Sequence, residues 1–438
     1  MPRPGNWGFA IRALRSPNYR LFFGGQSISL IGTWMTRIAT SWLVYRLTRS
    51  PFLMGVASFA GQIPLFFLSP IAGVWVDRWN RHRTLVATQI LSMLQSFALA
   101  WLALAKVITV WEVMWLMLFQ GLVNAFDMPT RQAFLIQMVE DRRDLSNAIA
   151  LNSSMVNGAR LVGPALAGLI IAVAGEGYCF LLDGISYLAV IGSLLAMHIR
   201  VQTVRPASRR VWHELAEGWR YVTGSIPIRS ILLLLALISL VGMPYTVLMP
   251  IFASQVLHGG PHTLGFLMTA SGVGALISAV TLAARRTVLG LGGMIGISAG
   301  IFGATLIAFA ASRVFWISIA VLVGTGFGFL QQMAASNTIL QTIVAEEKRG
   351  RVMAYYAMAI QGMAPFGSLL AGALAARIGA PPTLACSGSL CILGAIWFRR
   401  RLPEIRRLVR PIYTQMGILP EVAAGIQSAS ALQTPPEN

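Results

Sequence analysis

The stretch GVWVDRWNRHRTL, residues 73–85, places a cluster of charge between two long apolar runs. It carries Asp77, Arg78, Arg81, His82 and Arg83 within seven residues. The run GVASFAGQIPLFFLSPIAGVWV precedes the cluster, and TLVATQILSMLQSFALAWLALA follows it. A helix needs about 20 apolar residues to cross the hydrocarbon core of a bilayer. Both runs are long enough, so the sequence predicts a charged loop between two membrane spans.

The composition of the whole chain excludes a soluble globular protein. Of its 438 residues, 56% are hydrophobic and 11% are charged, and the mean hydropathy is +0.67. Soluble domains carry about 25% charged residues. The net charge of +19 would suit a nucleic-acid partner, but in so apolar a chain Lys and Arg mark loops beside a membrane. We therefore predict an all-α membrane protein that binds no nucleic acid.

The same length criterion predicts twelve transmembrane helices in two groups of six. The predicted spans are 20–46, 52–76, 84–105, 110–134, 147–174, 178–198, 229–256, 263–284, 288–311, 314–338, 351–376 and 382–398. Lys and Arg concentrate on the cytoplasmic side of membrane proteins. With both termini in the cytoplasm, 27 of the 34 Lys and Arg residues fall on that side and five on the outer side. Only Arg37 and Arg160 remain, both inside spans.

The spans divide the chain into four predicted units. These are an N-terminal six-helix bundle (1–199), a cytoplasmic linker (200–228), a C-terminal six-helix bundle (229–400) and a cytoplasmic tail (401–438). The linker segment SRRVWHELAEGWRYV has apolar residues on one helical face, which predicts an amphipathic helix. The tail has the composition of a disordered segment.

An internal repeat relates the two predicted bundles. At an offset of 204 residues, 137–168 aligns with 341–372 without a gap. Gly158, Gly163 and Gly168 then meet Gly362, Gly367 and Gly372. Small residues are common in membrane helices, so chance is the alternative. The matching topological positions favour two related bundles in a pseudo-symmetric arrangement, which rock about a central site.

The charged loop resembles a signature of the major facilitator superfamily of secondary transporters, Gly-x-x-x-Asp-Arg-x-x-Arg. Gly73, Asp77, Arg78 and Arg81 stand in the matching places, and Asn80 replaces the usual glycine. The resemblance implies a gating loop that joins the two bundles when the transporter is open outward. The alternative is that the positive charges only keep this loop on the cytoplasmic side. The arginines alone would be sufficient for that role.

A second motif resembles the antiporter branch of the same superfamily. The segment ARLVGPALAG has Gly163, Pro164 and Gly168 in the matching places. Pro164 removes a backbone donor and the small residues allow close packing, so ordinary helix packing is the alternative interpretation. The sequence is also similar to the subgroup of macrolide-efflux proteins and the enterobactin exporter. One departure is Met117, which stands where the superfamily often has an arginine in the fourth span.

Ionisable residues inside spans are candidates for function, because charge is costly in hydrocarbon. Asp127 and Arg160 lie at similar depth on consecutive spans, so we predict that they form an ion pair. This pair has two alternative roles. It either couples transport to protons, or it is a static structural pair with Arg131 as a third member. Asp183 is a further candidate for proton coupling and a possible partner of Arg37.

The resemblance implies a central substrate cavity lined by the first, fourth, seventh and tenth spans. The candidate residues are Gln26, Trp34, Phe119, Asn124, Tyr245, Phe327, Gln331, Tyr355 and Tyr356. Aromatic faces with a few amides suit bulky, partly apolar ligands. The five histidines lie in or beside loops without a convergent nucleophile or ligand set, so the sequence predicts no metal site, no cofactor and no enzyme activity.

These observations together predict a proton-coupled exporter of a small amphipathic molecule, such as a drug or a siderophore. It is expected in the inner membrane of a bacterium, with both termini cytoplasmic, and to function as a monomer with its substrate, protons and the lipid bilayer as partners. An importer or facilitator of the same fold and a membrane sensor that transports nothing are the alternatives.

Overall fold

The computed structural model describes residues 12–76, 79–139, 141–198, 211–285 and 287–416. Within these ranges the regular structure is helical, with no strand. The long helices are α1 Pro17–Thr48, α2 Pro51–Val76, α3 Arg81–Leu104, α4 Val110–Met138, α5 Leu145–Ala174, α6 Glu176–Leu195, α7 Val211–Gly224, α8 Ile226–Val256, α9 Pro261–Ala283, α10 Leu291–Ala311, α11 Phe315–Ile343, α12 Glu346–Ile378 and α13 Ala380–Gln415. The chain is an all-α membrane protein.

Ten of these helices are long and apolar enough to cross a membrane, against the twelve spans predicted. The other two predicted spans correspond to α1 and α4, which have 32 and 29 residues and are long enough. Their polar content excludes them from the apolar set, because α1 contains Gln26 and Arg37 and α4 contains Asp127 and Arg131. These two helices carry several of the candidate functional residues, among them Gln26, Trp34 and Asp127.

The internal repeat extends to the turns that follow α5 and α12. Each turn has a glycine at its centre, Gly175 with φ 92° and Gly379 with φ 88°. This left-handed conformation is unfavourable for other residues. The two glycines are 204 residues apart, which is the offset of the repeat. The same backbone geometry therefore joins α5 to α6 and α12 to α13.

The helices before and after the linker pack in the same pattern. In the first group α1 packs on α5 and α6, α2 packs on α4, and α3 packs on α4 and α6. In the second group the corresponding contacts are α8 with α12 and α13, α9 with α11, and α10 with α11 and α13. The groups contact each other mainly through α5 with α9 and α2 with α12. These two contacts are also equivalent under the repeat.

Glycines bring the two groups together at the helix ends predicted to face outward. A Cβ atom on Gly168 of α5 would lie 2.9 Å from the Cα atom of Gly265 on α9. A Cβ atom on Gly372 of α12 would lie 2.9 Å from the Cα atom of Gly55 on α2. Real Cβ atoms do not approach other atoms so closely, so both contacts depend on glycine. We call these two contacts the outer seal.

The structure differs from the sequence prediction beyond residue 400. Residues 401–415 were assigned to the tail, but they continue α13 as helix. Leu402, Ile405 and Val409 are buried, and Leu402 packs against Gly292 of α10. This apolar stripe provides the packing energy that composition alone did not reveal. The part of the tail after residue 416 lies outside the described residues.

The linker contains the predicted helix, α7, which packs against the start of α12. The Nη1 atom of Arg351 lies 2.6 Å from the Oε1 atom of Glu217, and the rings of Trp219 and Tyr355 are 5.9 Å apart. The side chains at the beginning of α7 are not among those described. The described half of this helix thus contacts protein through Glu217 and Trp219.

Candidate transport pathway

Only part of the predicted gating loop falls within the described residues. Asp77 and Arg78 lie outside them, Gly73 belongs to the last turn of α2, and Arg81 is the first residue of α3. Asn80, which replaces the usual glycine, caps α3 by accepting a hydrogen bond from the backbone nitrogen of Arg83 at 3.1 Å. Asparagine is a favourable residue at this position. The departure from the signature therefore has a local structural reason.

The antiporter-like motif lies where α5 meets both α1 and α9. A Cβ atom on Gly163 would lie 2.5 Å from the Cβ atom of Trp34 on α1. Further along α5, the Gly168 backbone and the carbonyl oxygen of Pro164 lie against Gly265 of α9. The motif therefore packs α5 on one helix of its own group and one helix of the other group. Its small residues form half of the outer seal.

Asp127 is buried between α4 and α3, with a donor on each side. Its Oδ1 atom accepts hydrogen bonds from Thr88 Oγ1 at 2.9 Å and Gln89 Nε2 at 2.6 Å. Its Oδ2 atom accepts one from Arg131 Nη2, one turn along α4, at 2.5 Å. The Asp127 side chain is 6% exposed and that of Arg131 is 26% exposed. Arg131 is thus the ion-pair partner.

The predicted ion pair of Asp127 with Arg160 does not form between these described residues. The prediction assumed that α4 and α5 are neighbours because they are consecutive in sequence. In the structure α4 packs on α2 and α3, whereas α5 packs on α1 and α9. The short connection of residues 139–144 joins helices that are not close partners. Equal depth was therefore insufficient to bring the two side chains together.

Asp183 lies on α6 and faces α1 and α3. Its Oδ2 atom accepts hydrogen bonds from Thr36 and Ser96, each at 2.8 Å, and the residue is 1% exposed. Its Oδ1 atom is buried and has no hydrogen-bond partner among the described residues. Asp183 thus has hydroxyl donors, whereas Asp127 has a guanidinium partner. Among the described residues Asp183 forms no ion pair with Arg37.

Two guanidinium groups instead contact the ring of Trp34. The Cζ atom of Arg37 is 4.8 Å from the centre of the ring, and the Cζ atom of Arg160 is 5.8 Å from it. Both distances are within the range of a cation–π interaction. Arg37 is exposed, while Trp34 and Arg160 are half-buried. We call these three residues the Arg–Trp–Arg cluster.

The candidate cavity residues separate into two classes. Buried ones have partners inside their own group of helices: Tyr245 with Ser271 at 2.6 Å, Gln331 with Ser278 at 2.6 Å, and Tyr356 with the carbonyl oxygen of Met333 at 3.0 Å. Gln26 is also buried. The more accessible candidates are Trp34, Phe119, Asn124, Phe327 and Tyr355. Asn124 accepts a hydrogen bond from Gln120, and Tyr355 packs on the linker helix.

A cavity of about 500 Å³ opens near the predicted cytoplasmic ends of α9 and α11. It is lined by Leu282, Ala334, Asn337, Thr338, Gln341, Thr342 and Arg349. All seven lining residues belong to α9, α11 and α12 of the second helix group. The outer seal lies toward the opposite end of α9.

The sequence alone did not identify the residues that donate hydrogen bonds to the buried carboxylates of Asp127 and Asp183. Thr88 and Gln89 beside Asp127, and Thr36 and Ser96 beside Asp183, are common residue types in membrane helices and gave no distinct signal. Trp34 and Arg37 did offer a signal, because residues three apart share a helix face. Met117, where an arginine was expected, packs against Gly61 of α2. It therefore serves a helix contact.

The sequence matches the transmembrane secretion effector family over residues 9–419. The chain belongs to this family. It is therefore a membrane transporter of the major facilitator type, similar to the efflux subgroup, and its relatives are transporters rather than enzymes. Transporters of the major facilitator type carry small molecules across membranes, and this chain is a multi-pass membrane protein of that type.

Two relatives and one solved structure illustrate the similarity. The chain is 27% identical over 392 residues to the staphyloferrin A transporter of Staphylococcus aureus, covering 88% of this chain and 97% of that one. It is 24% identical over 406 residues to macrolide efflux protein A of Streptococcus pyogenes, covering 89% and 98%. The fold matches a bacterial homologue of the iron transporter ferroportin in an inward-facing state, with a TM-score of 0.67, 17% identity and coverage of 89% of this chain and 99% of that chain.

Proposed function

We propose that this transporter exports a small amphipathic molecule by alternating access, driven by protons. The observation that carries the proposal is the outer seal, in which two equivalent pairs of glycines bring the helix groups into contact at the helix ends predicted to face outward. Contacts between small, apolar surfaces separate without breaking hydrogen bonds, so the groups can rock about a central site. Substrate would enter from the cytoplasm and leave when the seal opens.

The direction of transport rests on the motif in the seal and on the relatives. Gly163, Pro164 and Gly168 match the antiporter-like signature. One relative is an efflux protein for macrolides, and another transports a siderophore. We propose the same direction here, in a bacterial inner membrane, with both termini cytoplasmic and a monomer as the functional unit. The bundles 1–199 and 229–400 would be the moving parts, latched on the cytoplasmic side by the loop of Gly73, Asp77, Arg78 and Arg81.

Two carboxyl groups are candidates for the proton site. Asp127 is the stronger one, because protonation would remove its attraction to Arg131 and change the contact of α4 with α3. Protonation of Asp183 would break no ion pair, because its donors among the described residues are the hydroxyl groups of Thr36 and Ser96. Arg160 is assigned to the cluster with Trp34 and not to the proton site.

Asp127→Asn is expected to lower proton-driven transport by about tenfold, because an amide cannot lose and regain the proton. Uptake of a labelled macrolide or siderophore into inverted membrane vesicles would be measured with and without a proton gradient. Asp141→Asn is the matched control, because Asp141 is an exposed acid outside the spans and its loss is expected to leave uptake unchanged. An Asp127→Asn protein with the same dependence on the gradient as the parent would contradict coupling through this residue. Uptake only into right-side-out vesicles would identify an importer.

A further inference from the structure

The Arg–Trp–Arg cluster concentrates positive charge at mid-depth in the protein. Trp34 and Arg160 are each 14 residues from the outer ends of α1 and α5. At 1.5 Å per residue, this places both about 20 Å from those ends. The two guanidinium groups are close enough to repel each other electrostatically. Charge in such a position is unfavourable unless an opposite charge or water accompanies it.

No carboxylate among the described residues lies within ion-pair distance of either arginine. The acids of the first helix group have other partners: Asp127 has Arg131, Asp183 has Thr36 and Ser96, Glu176 has Arg46, and Glu112 caps the backbone of Thr109. The described spans α8 to α11 contain no acidic residue. The described residues thus provide no carboxylate that balances the charge of this cluster.

The cluster is accessible to a ligand and lies at the boundary between the helix groups. Arg37 is exposed, and Arg160 and Trp34 are half-buried. The carbonyl oxygen of Arg160 is 3.2 Å from the position of a Cβ atom on Gly272 of α9. Its guanidinium group also acts electrostatically on the phenol of Tyr245 on α8. A ligand bound here would thus contact one group and lie beside the other.

We propose that Trp34, Arg37 and Arg160 form the substrate site for an organic anion with two carboxylates on an aromatic or apolar body. The proposal rests on the transport function proposed above and specifies its substrate class. A planar guanidinium binds a planar carboxylate through two parallel hydrogen bonds, so two arginines suit two carboxylates. The indole face provides a surface for the apolar body. A carboxylate also carries less charge than a phosphate dianion and loses less on leaving water.

Binding to the purified full-length protein in detergent tests this assignment. The probe is benzene-1,4-dicarboxylate, and its neutral bis(2-hydroxyethyl) ester is the matched compound with the same ring. Calorimetry is expected to give a Kd for the diacid at least about tenfold lower than for the ester. Equal binding of the two compounds, or no binding of the diacid, would overturn the proposal.

Substitutions connect the binding to the named side chains. Arg37→Gln and Arg160→Gln are each expected to weaken diacid binding by about tenfold. Arg160→Lys is expected to weaken it by less, because lysine keeps the positive charge but cannot form the two parallel hydrogen bonds of a guanidinium. Arg143→Gln removes an exposed arginine and is expected to have no effect. Gel filtration and the unfolding midpoint establish that each variant is folded.

Transport in proteoliposomes separates this proposal from the proposed function. Diacid binding that depends on both arginines, without flux of any compound, would contradict proton-driven export and support the anion site. Proton-driven efflux of a cationic or neutral compound by a protein that does not bind the diacid would support proton-driven export and contradict the anion site. Binding unaffected by either Gln substitution would overturn the anion site in both cases.

Discussion

Gly265→Leu is expected to reduce transport by about fivefold to 100-fold, because overpacking a close contact costs about 1 to 3 kcal/mol and each 1.4 kcal/mol changes an equilibrium constant about tenfold. A Cβ atom at this position would lie 2.6 Å from the carbonyl oxygen of Pro164 and 2.9 Å from the Cα atom of Gly168. Both are backbone atoms, so neither can rotate away. The leucine would therefore separate α5 from α9 at the outer seal and favour the state open to the outside.

Cysteine labelling measures this shift directly. Thr269 is one turn below Gly265 on α9, and its hydroxyl donates to the carbonyl oxygen of Leu161. In a Cys386→Ser background, which removes the exposed native thiol, a Thr269→Cys residue is expected to react faster with an impermeant maleimide added outside. Gly372→Leu is expected to give the same result through α2 and α12, because the two contacts are equivalent.

Gly192→Leu is the control, since a Cβ atom there meets nothing within 4 Å. It is expected to transport and to label like the parent. Gly265→Ala places a smaller group at the same contact and is expected to change both readouts in the same direction to a smaller extent. Parental labelling and transport in the Gly265→Leu protein would mean that the outer seal does not control access.

Asp127→Leu is expected to lower the free energy of unfolding by about 3 kcal/mol, because removing one partner of a buried ion pair leaves the other uncompensated. The variant would also leave the Nε2 atom of Gln89 and the hydroxyl of Thr88 without their acceptor. The estimate is at the lower end for buried pairs, since the Arg131 side chain keeps 26% of its surface exposed. Chemical denaturation in detergent measures the change.

The double variant Asp127→Leu with Arg131→Met distinguishes a charge effect from a loss of shape. It is expected to recover more than half of the lost stability, because apolar pairs often replace buried ion pairs without cost. Asp141→Leu, at an exposed acid with Arg143 at 3.8 Å, is expected to change stability by less than about 0.5 kcal/mol. Equal losses for Asp127→Leu and Asp141→Leu would show that the buried pair contributes nothing particular.

Local rules were sufficient for the elements of the fold. Apolar length predicts twelve spans, and ten helices of the described residues have the length and apolarity to cross a membrane. The repeat at an offset of 204 residues predicted related contacts in the two groups, and Gly175 and Gly379 extend it. The continuation of α13 to Gln415 was missed, although Leu402, Ile405 and Val409 have the spacing of one apolar helix face. The many arginines around them gave the segment the composition of a polar tail.

The candidate site depended on helix neighbours, which the sequence does not encode locally. Similar depth on consecutive helices predicts a pair of Asp127 with Arg160, but their helices pack against different partners. Trp34 and Arg37 share a helix face through their spacing alone, whereas Arg160 joins them only because α5 packs on α1 through Gly163. Hydropathy and charge act along the chain and therefore determined the spans and the loops. Which charges meet was decided by the packing of helices distant in sequence, because a side chain finds its partner across space.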